Sequence, residues 1–138
     1  MSAPETGFVV ERDMRQTPAR LSRAWTQGFD EWFAAPGSAR MRAAVGEPYF
    51  FETAFEGKRH PHYGRFLRLI PDRLVEITWM TGTRGTEGAE TIVTVELASK
   101  GSGTHVHLEH KGFASESAAR QHRESWPLVL ELQEKKLG

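Results

Sequence analysis

Residues 74–110 decide the fold, and they read LVEITWMTGTRGTEGAETIVTVELASKGSGTHVHLEH. Apolar and polar residues alternate in three runs, at 74–80, 90–98 and 104–110. A glycine-rich loop, 82–88, separates the first two runs, and a short turn at 100–103 separates the last two. Alternation with a period of two is typical of strands with one buried face, and short turns join antiparallel neighbours. The stretch therefore predicts three strands of an antiparallel meander.

The same period of two extends toward the N-terminus. Residues 47–56 and 59–70 read as two more strands on either side of a turn at Gly57-Lys58, and Gly7 to Met14 reads as a first strand. These segments predict a sheet of six strands, or of seven if a short strand also forms near Met41–Val45.

Helices are predicted after the first strand and after the last strand. Thr17 is a good N-cap, and Pro18 suits the first helical position because its missing N–H would be unpaired there anyway. A second short helix is expected over Phe29–Ala34. The last helix begins after Ser115 and carries one apolar stripe, formed by Ala119, His122, Trp126, Val129, Leu130 and Leu137. Pro127 lies inside this helix and predicts a kink or a break at Ser125–Trp126.

Length and composition exclude several classes of protein. The 138 residues suit one domain, 1–138, and include no cysteine, so disulfides and thiolate metal sites are excluded. Lys and Arg number 18, as do Asp and Glu, which argues against a nucleic-acid binder with a basic face. No apolar run is long enough for a membrane helix, and Met1 to Arg12 lacks the pattern of a signal peptide. We therefore expect a cytoplasmic protein that binds neither nucleic acid nor membrane.

Several motifs in a fixed order carry a resemblance to a known family. They are Trp25-Thr26, GRFLRLIP at 64–71, RLVEITW at 73–79, VTVEL at 93–97, LEHKGF at 108–113, and Trp126-Pro127. In this order they resemble the activator of heat-shock chaperone ATPase homologue (AHSA-like) family within the START/SRPBCC superfamily, over residues 8–137. The resemblance implies an α+β helix-grip fold. In that fold a curved antiparallel sheet wraps around a long C-terminal helix, and two short helices lie near the N-terminus.

Three residues depart from the family's usual pattern. Arg68 stands where an acidic residue is usual, Ser125 replaces a glycine, and Gln133 replaces an expected leucine. Proteins with similar folds bind lipids, sterols and plant hormones, cyclise polyketides, or act as co-chaperone domains, so the fold alone leaves the function open.

Aromatic residues give the main functional prediction. We expect a hollow between the long helix and the sheet that holds a mostly apolar ligand, and a packed core is the alternative. Its expected ligand-binding lining is Trp32, Phe51, Phe55, Tyr63, Trp79, His110 and Trp126. Tyr63 depends on the register set by the preceding turn, because a shift of one residue would turn it outward.

Histidines offer a second set of candidates. His110 shares a face with Val106 and Leu108, and His122 lies on the stripe of the last helix. One interpretation is a contact between these histidines, or with Tyr63, at the mouth of the hollow; the other is that both are histidines with satisfied hydrogen bonds at the edge of the core. An imidazole that titrates near neutrality would favour an anionic ligand while it is protonated. The pairs His60/His62 and His105/His107 have metal-like spacing but lack a carboxylate at the distance a cupin-type site needs. We therefore predict no metal and no cofactor.

The sequence contains none of the common nucleophile, zinc-protease or phosphate-loop motifs. We therefore expect a non-catalytic domain that binds a small hydrophobic or amphipathic molecule, with a link to stress response or to a co-chaperone role, as a monomer or weak dimer. Two alternatives remain open. One is a chaperone-interaction module that acts through its outer surface, and the other is a cyclase- or hydrolase-like enzyme that uses the same cavity.

Overall fold

The computed structural model describes residues 7–82 and 85–138, except for the side chain of Phe55. The elements in chain order are β1 (Gly7–Met14), α1 (Pro18–Thr26), a 3₁₀ turn (Phe29–Glu31), β2 (Pro48–Phe55), β3 (Lys58–Ile70), β4 (Leu74–Thr81), β5 (Thr91–Lys100), β6 (Gly103–Lys111) and α2 (Glu116–Leu137). The predicted glycine-rich loop at 82–88 lies partly outside the described residues.

The six strands form one antiparallel sheet in the order β1-β6-β5-β4-β3-β2. Strands β2 to β6 follow one another as the predicted meander. Within the described residues, the seventh strand expected near Met41–Val45 does not form, and a single bridge joins Arg40 to Phe50 instead. Gly46 lies in the turn that leads into β2, and its φ of +85° is a conformation that suits glycine.

The turn between β2 and β3 fixes which side chains enter the interior. Residues 56–57 both have positive φ, at +52° and +75°, so they form a tight two-residue hairpin turn. In the resulting register Phe51 pairs with His62, and Phe50 pairs with Tyr63. Paired residues share a face of the sheet, so His62 joins Phe51 on the inner face while Tyr63 joins Phe50 on the outer one.

The predicted start of α1 is confirmed, and the helix that should follow it is shorter than expected. The Thr17 hydroxyl accepts a hydrogen bond from the Arg20 amide at 3.2 Å, and Pro18 is the first helical residue. The helix expected over Phe29–Ala34 is reduced to the 3₁₀ turn, because Trp32 leaves the helical region with φ of −140°. The Trp32 indole then turns back and donates to the Ala24 carbonyl at 3.1 Å.

Helix α2 lies on the concave face of the sheet. It begins at the predicted cap, where the Ser115 hydroxyl accepts from the Ala118 amide at 3.1 Å. It continues through Pro127 to Leu137, so of the kink or break expected at Ser125–Trp126 the break does not occur. Trp126 and Leu130 of the predicted stripe are buried in the core cluster. They share that cluster with residues of β4 and β5, which are Val75, Ile77, Trp79, Val93 and Val95.

Candidate functional site

Four of the predicted site residues come together inside the fold. Trp32, Phe51, Trp79 and Trp126 are all buried. The ring centroid of Trp79 lies 5.4 Å from that of Trp126 and 5.8 Å from that of Phe51. These are ordinary packing distances for aromatic pairs. The rings therefore pack against one another across the space where a hollow was expected. The side chain of Phe55 lies outside the described residues.

Trp25 and Phe29 belong to this cluster, although neither is in the predicted lining. Phe29 stacks on Phe51 with centroids 4.6 Å apart and planes 14° apart, and it lies 5.0 Å from Trp32. Trp25 meets the same cluster through Trp126, at 5.9 Å. Trp25 and Phe29 are four residues apart, a spacing that places side chains on one side of a helical segment. That spacing was the available signal.

Tyr63 does not line the interior. It is 39% exposed, and it lies on the outer face opposite Phe50. The predicted inward orientation of Tyr63 is wrong, because the register set by the hairpin turn places His62 on the inner face instead.

A directed chain of hydrogen bonds holds His110 at the base of the cluster. The Trp126 indole N–H donates to His110 Nδ1 at 2.9 Å, so the imidazole proton lies on Nε2. His110 Nε2 then donates to the Thr91 hydroxyl at 2.7 Å, and that hydroxyl donates to the Trp79 carbonyl at 2.5 Å. Each donor in this series of three hydrogen bonds thus meets an acceptor.

Burial keeps His110 neutral. The residue has no exposed surface, and desolvation lowers its pKa from the usual 6.5 to about 2, with a smaller contribution from the neighbouring His122. The predicted inward orientation of His110 is confirmed. The predicted titration near neutrality is wrong, because a second ring proton would have to point at the indole N–H of Trp126.

Two more histidines lie half-buried at the margin of the cluster. His62 stacks on Phe51, with centroids 4.9 Å apart and planes 9° apart, and its ring meets Trp79 edge-on at 5.2 Å. His122 lies 5.2 Å from His110, which confirms the predicted contact between these two rings. Desolvation lowers the pKa of His62 to about 4 and also lowers the pKa of His122, so both rings are neutral at physiological pH.

The predicted metal candidates on β6 face outward. His105 has Asp13 at 2.6 Å on Nδ1 and Glu11 at 2.9 Å on Nε2, and these bonds raise its pKa. A ring bonded to carboxylates through both nitrogens is an imidazolium, with no lone pair for a metal. Among residues 7–82 and 85–138, no group of three or more His, Asp or Glu side chains is arranged to hold a metal ion.

Two concave regions lie on the surface, away from the aromatic cluster. One, of about 380 Å³, is lined by residues 36–38 with Arg40, Phe50, Glu52 and Arg59. The other, of about 700 Å³, lies between the start of α1, the turn that joins β3 to β4, and the end of β5. Neither includes a residue of the predicted ligand site. In the described part of the chain, no helix is both long and apolar enough to cross a membrane.

Solved structures share this arrangement. Protein CV1439 from Chromobacterium violaceum superposes with a TM-score of 0.78 at 20% identity, with 96% of each chain covered. Protein MLL2253 from Mesorhizobium loti gives 0.78 at 26% identity, covering 95% of this chain and 96% of that one. The Aha1 dimer from Colwellia psychrerythraea gives 0.73 at 18% identity, with 95% of each chain covered.

A search of curated proteins gave no match. A family profile described as "Activator of Hsp90 ATPase homolog 1-like protein" matches residues 15–135, which is most of the chain and includes the buried cluster, His110 and α2. The resemblance drawn from the motifs is thereby confirmed, and the chain belongs to the family of Activator of Hsp90 ATPase homolog 1-like proteins.

Proposed function

We propose that this protein binds a small, largely aromatic molecule, without catalysis, at the margin of the buried cluster where β3 faces α2. The observation that carries the proposal is the Trp79 indole N–H, which is buried and has no hydrogen-bond partner in the described structure. A buried polar group without a partner costs about 1–3 kcal/mol, so a fold that retains one invites a functional explanation. A bound molecule would supply the missing acceptor.

The packing of α2 supports the proposal that a ligand enters between α2 and β3. Among the described strands, β1, at one edge of the sheet, is the one whose backbone lies close to α2 at several places. Strand β3 lies near the opposite edge. Between them the half-buried rings of His62 and His122 border the cluster. Parting α2 from β3 would therefore expose aromatic faces while the contact between α2 and β1 persists.

The test follows the indole N–H signals in ¹⁵N NMR spectra. The chain has four tryptophans, and a Trp79→Phe variant identifies the signal of Trp79. Titration with fatty acids, flavonoids and polyketide-like aromatics should shift the Trp79 signal saturably for at least one class. Tyr63→Ser is the matched control, because Tyr63 lies on the outer face and its loss should leave the binding curve unchanged. If no compound shifts the Trp79 signal at millimolar concentration, the ligand proposal fails.

A second candidate function is a chaperone-interaction module, and the outer face favours it. Phe50 and Tyr63 are directly paired and are both 39% exposed, with Arg59 and Arg65 on the same face of β3. Exposed aromatic pairs with arginine nearby are common in protein interfaces. A purified Hsp90-type chaperone should bind the native chain and lose affinity at least tenfold with Phe50→Ser or Tyr63→Ser. Unchanged binding by both variants would exclude this face.

A further inference from the structure

The two histidines at the margin each expose a hydrogen-bond acceptor. The His62 Nδ1–H donates to the carbonyl of His60 at 3.1 Å, and the His122 Nδ1–H donates to the carbonyl of Ala118 at 2.9 Å. A carbonyl can only accept, so the proton of each neutral ring lies on Nδ1, and Nε2 carries a lone pair. In the part of the chain that the structure describes, neither Nε2 has a hydrogen-bond partner. The backbone thus fixes both rings as acceptors.

Trp79 adds one donor to the same region. Its ring lies 5.2 Å from that of His62, and its buried Nε1–H is unpartnered within the described residues. Trp79 is only 2% exposed, so bulk water does not serve as its acceptor. The adjacent rings of Trp79 and His62 therefore carry one donor and one acceptor, and the His122 ring, which contacts His110, carries a second acceptor.

The surroundings of this region do not favour an anion. The three rings of His62, His110 and His122 are neutral at physiological pH. Arg123, on the same turn of α2 as His122, is placed over the Phe8 ring at 5.8 Å. A carboxylate has only lone pairs to offer, and these would face the lone pairs of the two Nε2 atoms while losing hydration.

We propose that the ligand of this site is a neutral aromatic hydroxyl compound, whose O–H donates to Nε2 of His62 or His122 and whose oxygen accepts from Trp79 Nε1. This inference rests on the function proposed above and specifies the class of ligand. A hydroxyl is the smallest group that both donates and accepts, and a planar ring matches the aromatic walls. Buried hydrogen-bonding groups discriminate strongly against an analogue that lacks the matching group.

The experiment compares three probes with one ring system, namely 2-naphthol, naphthalene and 2-naphthoate, at about pH 7.5. We expect 2-naphthol to bind the unmodified protein at least about tenfold more tightly than either of the others, which corresponds to about 1.4 kcal/mol. The ranking needs no variant, so it does not depend on any substitution being tolerated. Binding is read from the Trp79 indole signal and from calorimetry.

Substitutions then test whether the two histidines cause the tighter binding of 2-naphthol. His62→Phe and His122→Phe each keep a ring and remove an acceptor, and each should reduce the advantage of 2-naphthol over naphthalene. The double variant should bring the two probes within about twofold of each other. His107→Phe is the matched control, because His107 lies on the outer face of β6, and it should leave the tenfold advantage intact.

The outcomes separate the two proposals. If naphthalene binds as tightly as 2-naphthol, or if 2-naphthoate binds most tightly, the inference about the hydroxyl is overturned while the ligand site stands. If 2-naphthol keeps its advantage in the double histidine variant, the acceptor role is overturned. If none of the three probes binds, both the site and its ligand class are rejected.

Discussion

Replacing Trp126 with alanine should lower the free energy of unfolding by about 4–8 kcal/mol. Trp126 is 3% exposed and packs against Trp25 and Trp79. Truncation of a buried large aromatic side chain costs about 3–5 kcal/mol. The substitution also leaves His110 Nδ1 buried without its donor, which adds about 1–3 kcal/mol. Since domains of this size are stable by about 5–15 kcal/mol, the variant should be largely destabilised at room temperature.

A matched variant separates packing from hydrogen bonding. Trp126→Phe retains much of the ring contact and removes the indole N–H, so most of its cost should be the hydrogen-bond component of about 1–3 kcal/mol. Urea denaturation followed by circular dichroism gives both values, with the slope of the transition checked for constancy. A loss below about 1 kcal/mol for Trp126→Ala would refute the reasoning, because it would mean that α2 contributes little to the core.

The remaining predictions concern Gln133, His110 and Tyr63. Gln133→Leu should raise the free energy of unfolding by about 1–3 kcal/mol, because Gln133 is fully buried with neither amide atom partnered, and chemical denaturation measures the change. The unfolded chain binds a proton at His110 below about pH 6.5 while the folded chain with a pKa of about 2 does not, so stability is lost as the pH falls. By pH 4.5 this residue alone should cost about 3 kcal/mol, and a His110→Asn variant should show a correspondingly shallower dependence on pH between 7 and 4.5. Tyr63→Ser should change the free energy of unfolding by less than about 0.5 kcal/mol in the same denaturation experiment, and a larger loss would contradict its outward placement.

Much of the fold follows from local patterns in the sequence. The alternation in residues 90–98 and 104–110 places His110 on the same face as Val106 and Leu108, and all three are buried. The cap at Thr17 and the meander follow from equally local rules. These features depend on spacing alone, and spacing is visible in a sequence.

The errors arise where an unusual turn conformation, or packing between segments, decides the outcome. The inward turn of His62 depends on a hairpin in which Glu56 adopts φ of +52°, a conformation that glutamate rarely takes and that the sequence does not signal. Likewise, alternation shows which residues face the interior but does not show whether they fill it. Phe29 occupies the expected hollow from the irregular segment after α1, where its spacing of four residues from Trp25 is the one indication of its direction.

Helix α2 packs into two clusters of the interior, one small and one the main core, and Pro127 lies near the boundary between them. Ala118 and Ala119 pack with Phe113 in a cluster of their own, whereas Trp126 and Leu130 belong to the main core. Because proline has no N–H, it cannot make the backbone hydrogen bond that would tie these two parts of the helix together. Hydrogen exchange should therefore show two cooperative units in one continuous helix, with faster exchange in residues 116–125. Residues 116–125, which include His122, would then separate from the sheet independently, while the second half of α2, with Trp126 and Leu130, stays packed in the main core.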